Sequence, residues 1–206
     1  MTQRTVLNVG AGSRNSPAQL PPGLCTPDWR EVRVDIDPAN NPDILGSMLD
    51  MPAVANESVD AVFCSHSIEH LYASELGTAF SEFRRVLRSD GLLVIVCPDL
   101  RKAAEWIVAG KLLDPVYVSP TGTPVTPFDI VFGHRTLTGH DKPYMAHRCG
   151  FTLGLLTGTL KSMGFPATAG GRANFELSMV ASRAALADGE IERLAVHIFG
   201  LGPALP

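Results

Sequence analysis

Short apolar runs, each closing in glycine or a polar cluster, alternate along this chain with longer stretches whose apolar residues recur every three or four positions. Residues 5–9 form the first run and lead into Gly10-Ala11-Gly12-Ser13. Residues 31–35 form the second and end in Asp35-Ile36-Asp37. A third strand is expected over 44–49. A fourth over 59–65 ends in Ser65-His66-Ser67-Ile68-Glu69-His70, and a fifth over 91–97 ends in Pro98-Asp99. Leu76, Phe80, Phe83 and Leu87 give residues 74–88 the spacing of a helix with one buried face, broken by Asp90-Gly91. Residues 100–109 read as another helix, and Thr152 caps one that runs to Met163 and stops at Gly164.

Two departures from regular alternation stand out. Pro17, Pro21, Pro22, Gly23 and Pro27 exclude a regular helix between the first two strands, so the segment there must be short or distorted. Residues 111–150 are rich in Pro, Gly, Thr and His without periodicity, which reads as an inserted lid or substrate segment. The last two strands, 165–169 and 175–182, have only residues 170–174 between them. A parallel crossover needs a dozen residues or more, so this pair is antiparallel. The implied architecture is α/β: a mainly parallel seven-stranded sheet with a C-terminal antiparallel hairpin and helices on both faces. One domain spans 1–185 with its insert at 111–150, and 186–206 reads as a C-terminal tail, amphipathic at first.

Composition narrows the partners. Hydrophobic residues make up 45% and charged ones 18% of 206 residues, enough for one sizeable core and against disorder. The net charge of −4, with no Lys/Arg-rich run, argues against nucleic acid. No apolar stretch is long enough to span a bilayer and no leader is visible, so a cytoplasmic protein without membrane contact is expected. Cys25, Cys64, Cys97 and Cys149 lack a Cys-x-x-Cys pair and read as free thiols of a reducing compartment.

Every polar cluster named above closes a strand, and in such sheets ligands bind beyond the carboxyl ends of the strands. Glycine lets a ligand lie against bare backbone, and an acid at the second strand tip can accept hydrogen bonds from a ribose diol. Together these features indicate a site for a nucleoside cofactor.

The run Leu7-Asn8-Val9-Gly10-Ala11-Gly12-Ser13, then Val34-Asp35-Ile36-Asp37, Asp50-Met51-Pro52, residues 59–71 and residues 83–91 resemble the small bacterial class I S-adenosylmethionine-dependent methyltransferases of the type 11 kind. The resemblance implies their Rossmann-like fold, S-adenosyl-L-methionine as cofactor and S-adenosyl-L-homocysteine as product. Gly10, Ala11, Gly12 and Ser13 would pass under the cofactor. Asn8 stands where the family more often has an acid for the methionine amino group, and Asp35 matches the ribose-binding acid, beside Ile36, with Asp37 the competing choice. Ser47, where many relatives carry an acid, with Met48 or Asp50 would contact the adenine. Ser65 and His66 would face the reactive methyl group.

Methyl transfer from a sulfonium is an in-line displacement with an activated leaving group, so the protein supplies alignment, exclusion of water and a base; a neutral His66 suits the last task, with His147 as a further candidate. His134, Tyr144 and His147 of the insert are expected to face a small or medium-sized acceptor offering oxygen or nitrogen. The fourth strand lacks the Asp/Asn-Pro-Pro-aromatic signature, which disfavours nucleobase amino groups and glutamine. His70 is expected to hydrogen-bond backbone. His134, His140, Asp141 and His147 are too scattered to argue for a metal, and none is expected. A homodimer is allowed. Two other readings stay open: a non-catalytic module that binds S-adenosylmethionine or S-adenosylhomocysteine, and, further off, a nicotinamide-dependent oxidoreductase, for which Asn15 replaces the third glycine of Gly-x-Gly-x-x-Gly.

Overall fold

Consecutive apolar residues in a strand are all buried only when both faces of the sheet are covered, because side chains alternate between faces. In strand β1 (Arg4–Val9) Leu7 and Val9 enter one core while Val6 enters another on the opposite face. The structure is a computed structural model that describes residues 3–15, 20–119, 122–135 and 142–201. Strands β2 (Trp29–Asp35), β3 (Ile44–Leu45) and β4 (Val59–Ser65) follow, then helix α1 (Leu76–Val86), β5 (Leu87–Pro98) and α2 (Leu100–Val108). The insert holds a small hairpin, β6 (Tyr117–Val118) with β7 (Pro124–Val125), and helix α3 (Pro127–Phe132). Helix α4 (Leu153–Ser162), β8 (Ala167–Ala173), β9 (Glu176–Ser182) and α5 (Glu190–Phe199) complete the chain.

The main sheet has seven strands in the order β3-β2-β1-β4-β5-β9-β8, and β9 runs against both its neighbours. The parallel sheet and terminal hairpin are as expected. The larger core lies under α1 and α4, with Phe80, Phe83, Leu156 and Leu160 fully buried; the second packs Val6, Phe63, Val94 and Val180 against Ile191, Ala195 and Ile198 of α5. Residues 190–199 are therefore a helix that covers a face of the sheet, where the sequence suggested a tail.

Other differences have local causes. The helix ends at Val86, before Asp90-Gly91, because Leu87 pairs with Val59 and is fully buried. Residues 88–91 then bulge while β4 advances only from Val59 to Ala61. The third strand stops at Leu45, an exposed edge position, and Ser47 and Asp50 close a turn instead. The hairpin strands run through Gly170 and Gly171, where a Cβ at Gly170 would stand 2.5 Å from the Ser178 carbonyl oxygen. Between β1 and β2 the prolines leave, among the described residues, only the 3-10 turn Pro22–Leu24. Among the described residues no helix is long and apolar enough to cross a membrane.

Candidate active site

The strand order reverses between β1 and β4, and the loops that leave these strands define the site. Gly10 and Gly12 both adopt positive φ, 67° and 65°, which glycine takes without the Cβ penalty. Among the described residues, a Cβ on Gly12 would meet nothing within 4 Å, so bare backbone borders open space there. At Gly10 it would stand 2.2 Å from Ser67 Oγ, which belongs to the loop after β4. The amides of Gly10 and Ala11 both donate to the Val34 carbonyl, at 2.9 and 3.2 Å.

Asp35 is buried and pins the glycine turn to the β2 loop. Its Oδ2 accepts from the Gly12 amide at 2.8 Å, and its Oδ1 accepts from the Asp37 amide at 2.8 Å and Asn40 Nδ2 at 3.0 Å. Arg33 fixes the same turn from below: its buried guanidinium donates to the Ala11 carbonyl at 2.6 Å and pairs with Glu31 at 2.9 Å. Asn8 joins this network by donating to Glu31 at 2.7 Å. Neither Arg33 nor Glu31 was legible as a site residue, since charged residues flanking the apolar positions of a strand ordinarily read as solvated.

Asp37, the other candidate for the ribose, is engaged by the insert. Tyr144 donates to its Oδ2 at 2.7 Å and Lys142 at 3.0 Å, while Oδ1 caps the Pro38–Asn40 turn. The Tyr144 and Lys142 hydrogen bonds, with the Ala39 amide, hold the Asp37 carboxyl down to about 2. A carboxyl depressed in the folded state favours folding above its ordinary value near 4, and that contribution is lost as pH falls toward 2. The clasp is therefore intact at neutral pH. Replacing Tyr144 by Phe is expected to speed protease cleavage within 111–150 several-fold at pH 7, as read by limited proteolysis; an unchanged rate would show that the clasp does not hold the insert.

Ser65 ends β4, and its carbonyl accepts from Ser67 Oγ at 2.9 Å, with the Gly10 carbonyl 3.2 Å from the same hydroxyl. His66 follows in a left-handed conformation, φ 48°, which turns its ring between two carboxylates. Its Nε2 lies 3.1 Å from Glu176 Oε1 and its Nδ1 3.6 Å from Glu69 Oε1. Burial alone would lower its proton affinity, but Glu176 and Glu69 outweigh that and push it up to about 10. The ring is charged at pH 7, so the neutral base expected at His66 is not the form this setting favours. Glu176 comes from β9, far away in sequence, and nothing local announces it.

His70 donates Nδ1–H to the Ala146 carbonyl at 3.2 Å, the expected backbone bond. His147 likewise meets the Ile130 carbonyl at 2.8 Å, and burial lowers its proton affinity. The insert returns against the β4 loop, where the amides of Arg148 and Cys149 donate to the Glu69 carbonyl at 2.8 and 3.2 Å. Under it lies a cavity of about 190 Å³ lined by Glu69, Pro98, Leu100, residues 130–132 and residues 147–150. Glu69 itself is fully buried; burial works to raise its carboxyl, and His66, then His70 and His147, hold it below the usual range.

Of the residues singled out from sequence, Asn8, Gly10, Ala11, Gly12, Ser13, Asp35, Ile36, Ser65 and His66 lie at the tips of β1, β2 and β4. Met48 reaches within 3.9 Å of a Cβ placed at Gly10, and Ser47 and Asp50 form the adjoining turn. His147 lines the cavity, Tyr144 holds Asp37, and His134 follows the end of α3. His140 and Asp141 lie outside the described residues. Cys64, Cys97, Cys149 and Cys25 are free thiols, the first two buried.

Known proteins share this fold. No curated protein matches the chain in sequence. Among solved structures, the CMeT domain of the citrinin polyketide synthase superposes with a TM-score of 0.57 at 13% identity, covering 88% of this chain and 47% of that one. The chain thus spans about half the length of that structure. The Burkholderia thailandensis 1,6-didemethyltoxoflavin-N1-methyltransferase, solved with bound 1,6-didemethyltoxoflavin and S-adenosylhomocysteine, gives 0.53 at 15% identity over 89% and 72%. A possible histamine N-methyltransferase of Thermotoga maritima gives 0.51 at 12% over 88% and 82%. Residues 7–95 match the family model described as methyltransferase domain. That segment, which contains the glycine turn, the acid-tipped β2 and the β4 loop, is similar to the methyltransferase domain family, and the chain shares the fold of these solved structures.

Proposed function

We propose that the chain binds S-adenosylmethionine across the tips of β1, β2 and β4 and transfers its methyl group, by in-line displacement, to a small or medium-sized acceptor held in the cavity under the insert. One observation carries this reading: the Gly10–Gly12 turn, the Asp35 carboxylate and the Ser65-His66 tip converge where the strand order reverses. Asp35 Oδ2 accepts one hydrogen bond within the protein and keeps a lone pair for a ribose hydroxyl. Asn8 serves the methionine end, and Ser47, Met48 and Asp50 serve the adenine. The single domain with a lid at 111–150 supplies exclusion of water, and Tyr144 and His147 bring that lid against the site. The antiparallel β9 disfavours a nicotinamide-dependent oxidoreductase, whose sheets are commonly parallel throughout.

Isothermal titration of the full chain with S-adenosylmethionine and S-adenosylhomocysteine is expected to show one site for each. Binding of neither overturns the proposal. Asn8 and Ser47, standing where acids are frequent, favour one second reading, a cofactor-binding module without turnover. Tight binding with no S-adenosylhomocysteine formed across a panel of hydroxyl and amine acceptors would select it.

A further inference from the structure

We propose that Glu69, His70 and His147 form a site for a divalent first-row transition-metal ion, with open coordination positions toward the cavity under the insert. One ligand atom from each residue lies within 4.8 Å of the other two. Among the described residues, both oxygens of Glu69 are buried without a hydrogen-bond partner, in a side chain only 2% exposed. Buried carboxylate oxygens ordinarily have partners, since leaving them unpaired is costly. The nearest charge, His66 Nδ1, stays 3.6 Å away, beyond hydrogen-bonding distance.

The two imidazoles are turned as metal ligands are. A carbonyl only accepts, so the Ala146 and Ile130 carbonyls fix the proton of each ring on Nδ1 and leave Nε2 as the lone pair. The rings meet edge to face with centroids 5.0 Å apart. Glu69 and His70 come from the turn after β4 and His147 from the returning insert, and the bonds from Arg148 and Cys149 to the Glu69 carbonyl lock these segments together. Two imidazoles and one carboxylate suit zinc, cobalt or iron(II), whereas magnesium and calcium prefer all-oxygen shells. Metal–ligand bonds of about 2.0–2.1 Å place neighbouring donors about 3.3 Å apart, so the cluster closes by rotation of its side chains on binding.

Glu69 and His147 both line the cavity, so a ligand there reaches the ion. The acceptor class this implies rests on the methyl-transfer reading: a hydroxyl oxygen, ordered by the ion and made more acidic. The hydroxyl proton passes to solvent, an oxygen lone pair forms the new bond to the methyl carbon, and the S–CH3 bonding pair returns to sulfur, giving S-adenosylhomocysteine and a methyl ether.

The test titrates Co²⁺ and Zn²⁺ into chelator-treated full-length protein, following calorimetry and the visible d–d bands of cobalt. One equivalent is expected to bind, with affinity at least 100-fold weaker in Glu69→Gln and in His147→Gln but unchanged in His197→Ala, a surface control on α5. Circular dichroism establishes that each variant is folded, and His70→Gln replaces either one that is not. No binding at millimolar metal, or binding unaffected by the site variants, overturns the proposal and leaves Glu69 balanced by the surrounding histidines. S-adenosylmethionine is titrated into the same metal-free protein. Cofactor binding without metal binding sinks this inference only, and metal binding without cofactor binding sinks the methyl-transfer reading only.

Discussion

Asp35→Ala is expected to weaken S-adenosylmethionine binding by about 1–3 kcal/mol, roughly 5- to 150-fold, because the proposed charge-assisted bond to the ribose is lost. The same change is expected to cost about 2–4 kcal/mol of stability, since it strips the Gly12 and Asp37 amides of their acceptor where the carboxylate was buried. The two effects share one cause. Asp35 holds the glycine turn against the β2 loop, and the turn is the surface on which the cofactor is proposed to lie. Calorimetric titration reads the first loss and urea denaturation the second. Asp37→Ala separates the candidates for the ribose: it frees Lys142 and Tyr144 of the insert and is expected to leave cofactor affinity within a few-fold. A folded Asp35→Ala protein with unchanged affinity, beside an Asp37→Ala protein that binds poorly, would reverse the assignment.

Strand tips were the legible part of this chain, because a strand buried on both faces must be apolar throughout and so announces where it stops. Gly10, Gly12, Asp35 and Ser65 all sit at such stops. What stayed hidden depends on partners distant in sequence. Arg33 reads as a surface residue until its guanidinium is seen under the Ala11 carbonyl, and His66 reads as a neutral base until β9 brings Glu176 beside it. The insert hid a helix for another reason: α3 is only Pro127–Phe132, too short for periodicity to register. Its capping box was present all the same, with Thr126 Oγ1 and the Asp129 carboxylate each accepting the other's backbone amide. The α5 helix shows the converse error, in which a Gly/Pro-rich end obscured Ile191, Ala195 and Ile198 at helical spacing.

Gly10→Ala is expected to cost about 3–4 kcal/mol, of which about 1–2 comes from the left-handed backbone and the rest from steric conflict. The conflict has a definite partner. The new Cβ would stand 2.2 Å from Ser67 Oγ and 2.6 Å from Ser67 Cβ, so turning the hydroxyl away does not relieve it. Ser67 has little room to retreat, since its hydroxyl bonds the Ser65 carbonyl and the adjacent Ile68 is fully buried in the larger core. A double-mutant cycle isolates the steric part: Ser67→Gly removes both clashing atoms, so Gly10→Ala in that background should cost only the backbone share, about 1–2 kcal/mol. Gly12→Ala is the matched control, with the same sign of φ and, among the described residues, no neighbour within 4 Å, and it should cost that smaller amount in either background. If Gly10→Ala costs no more than Gly12→Ala, the β1 and β4 loops do not touch as described, and the convergence of strand tips on which the cofactor site depends fails with them.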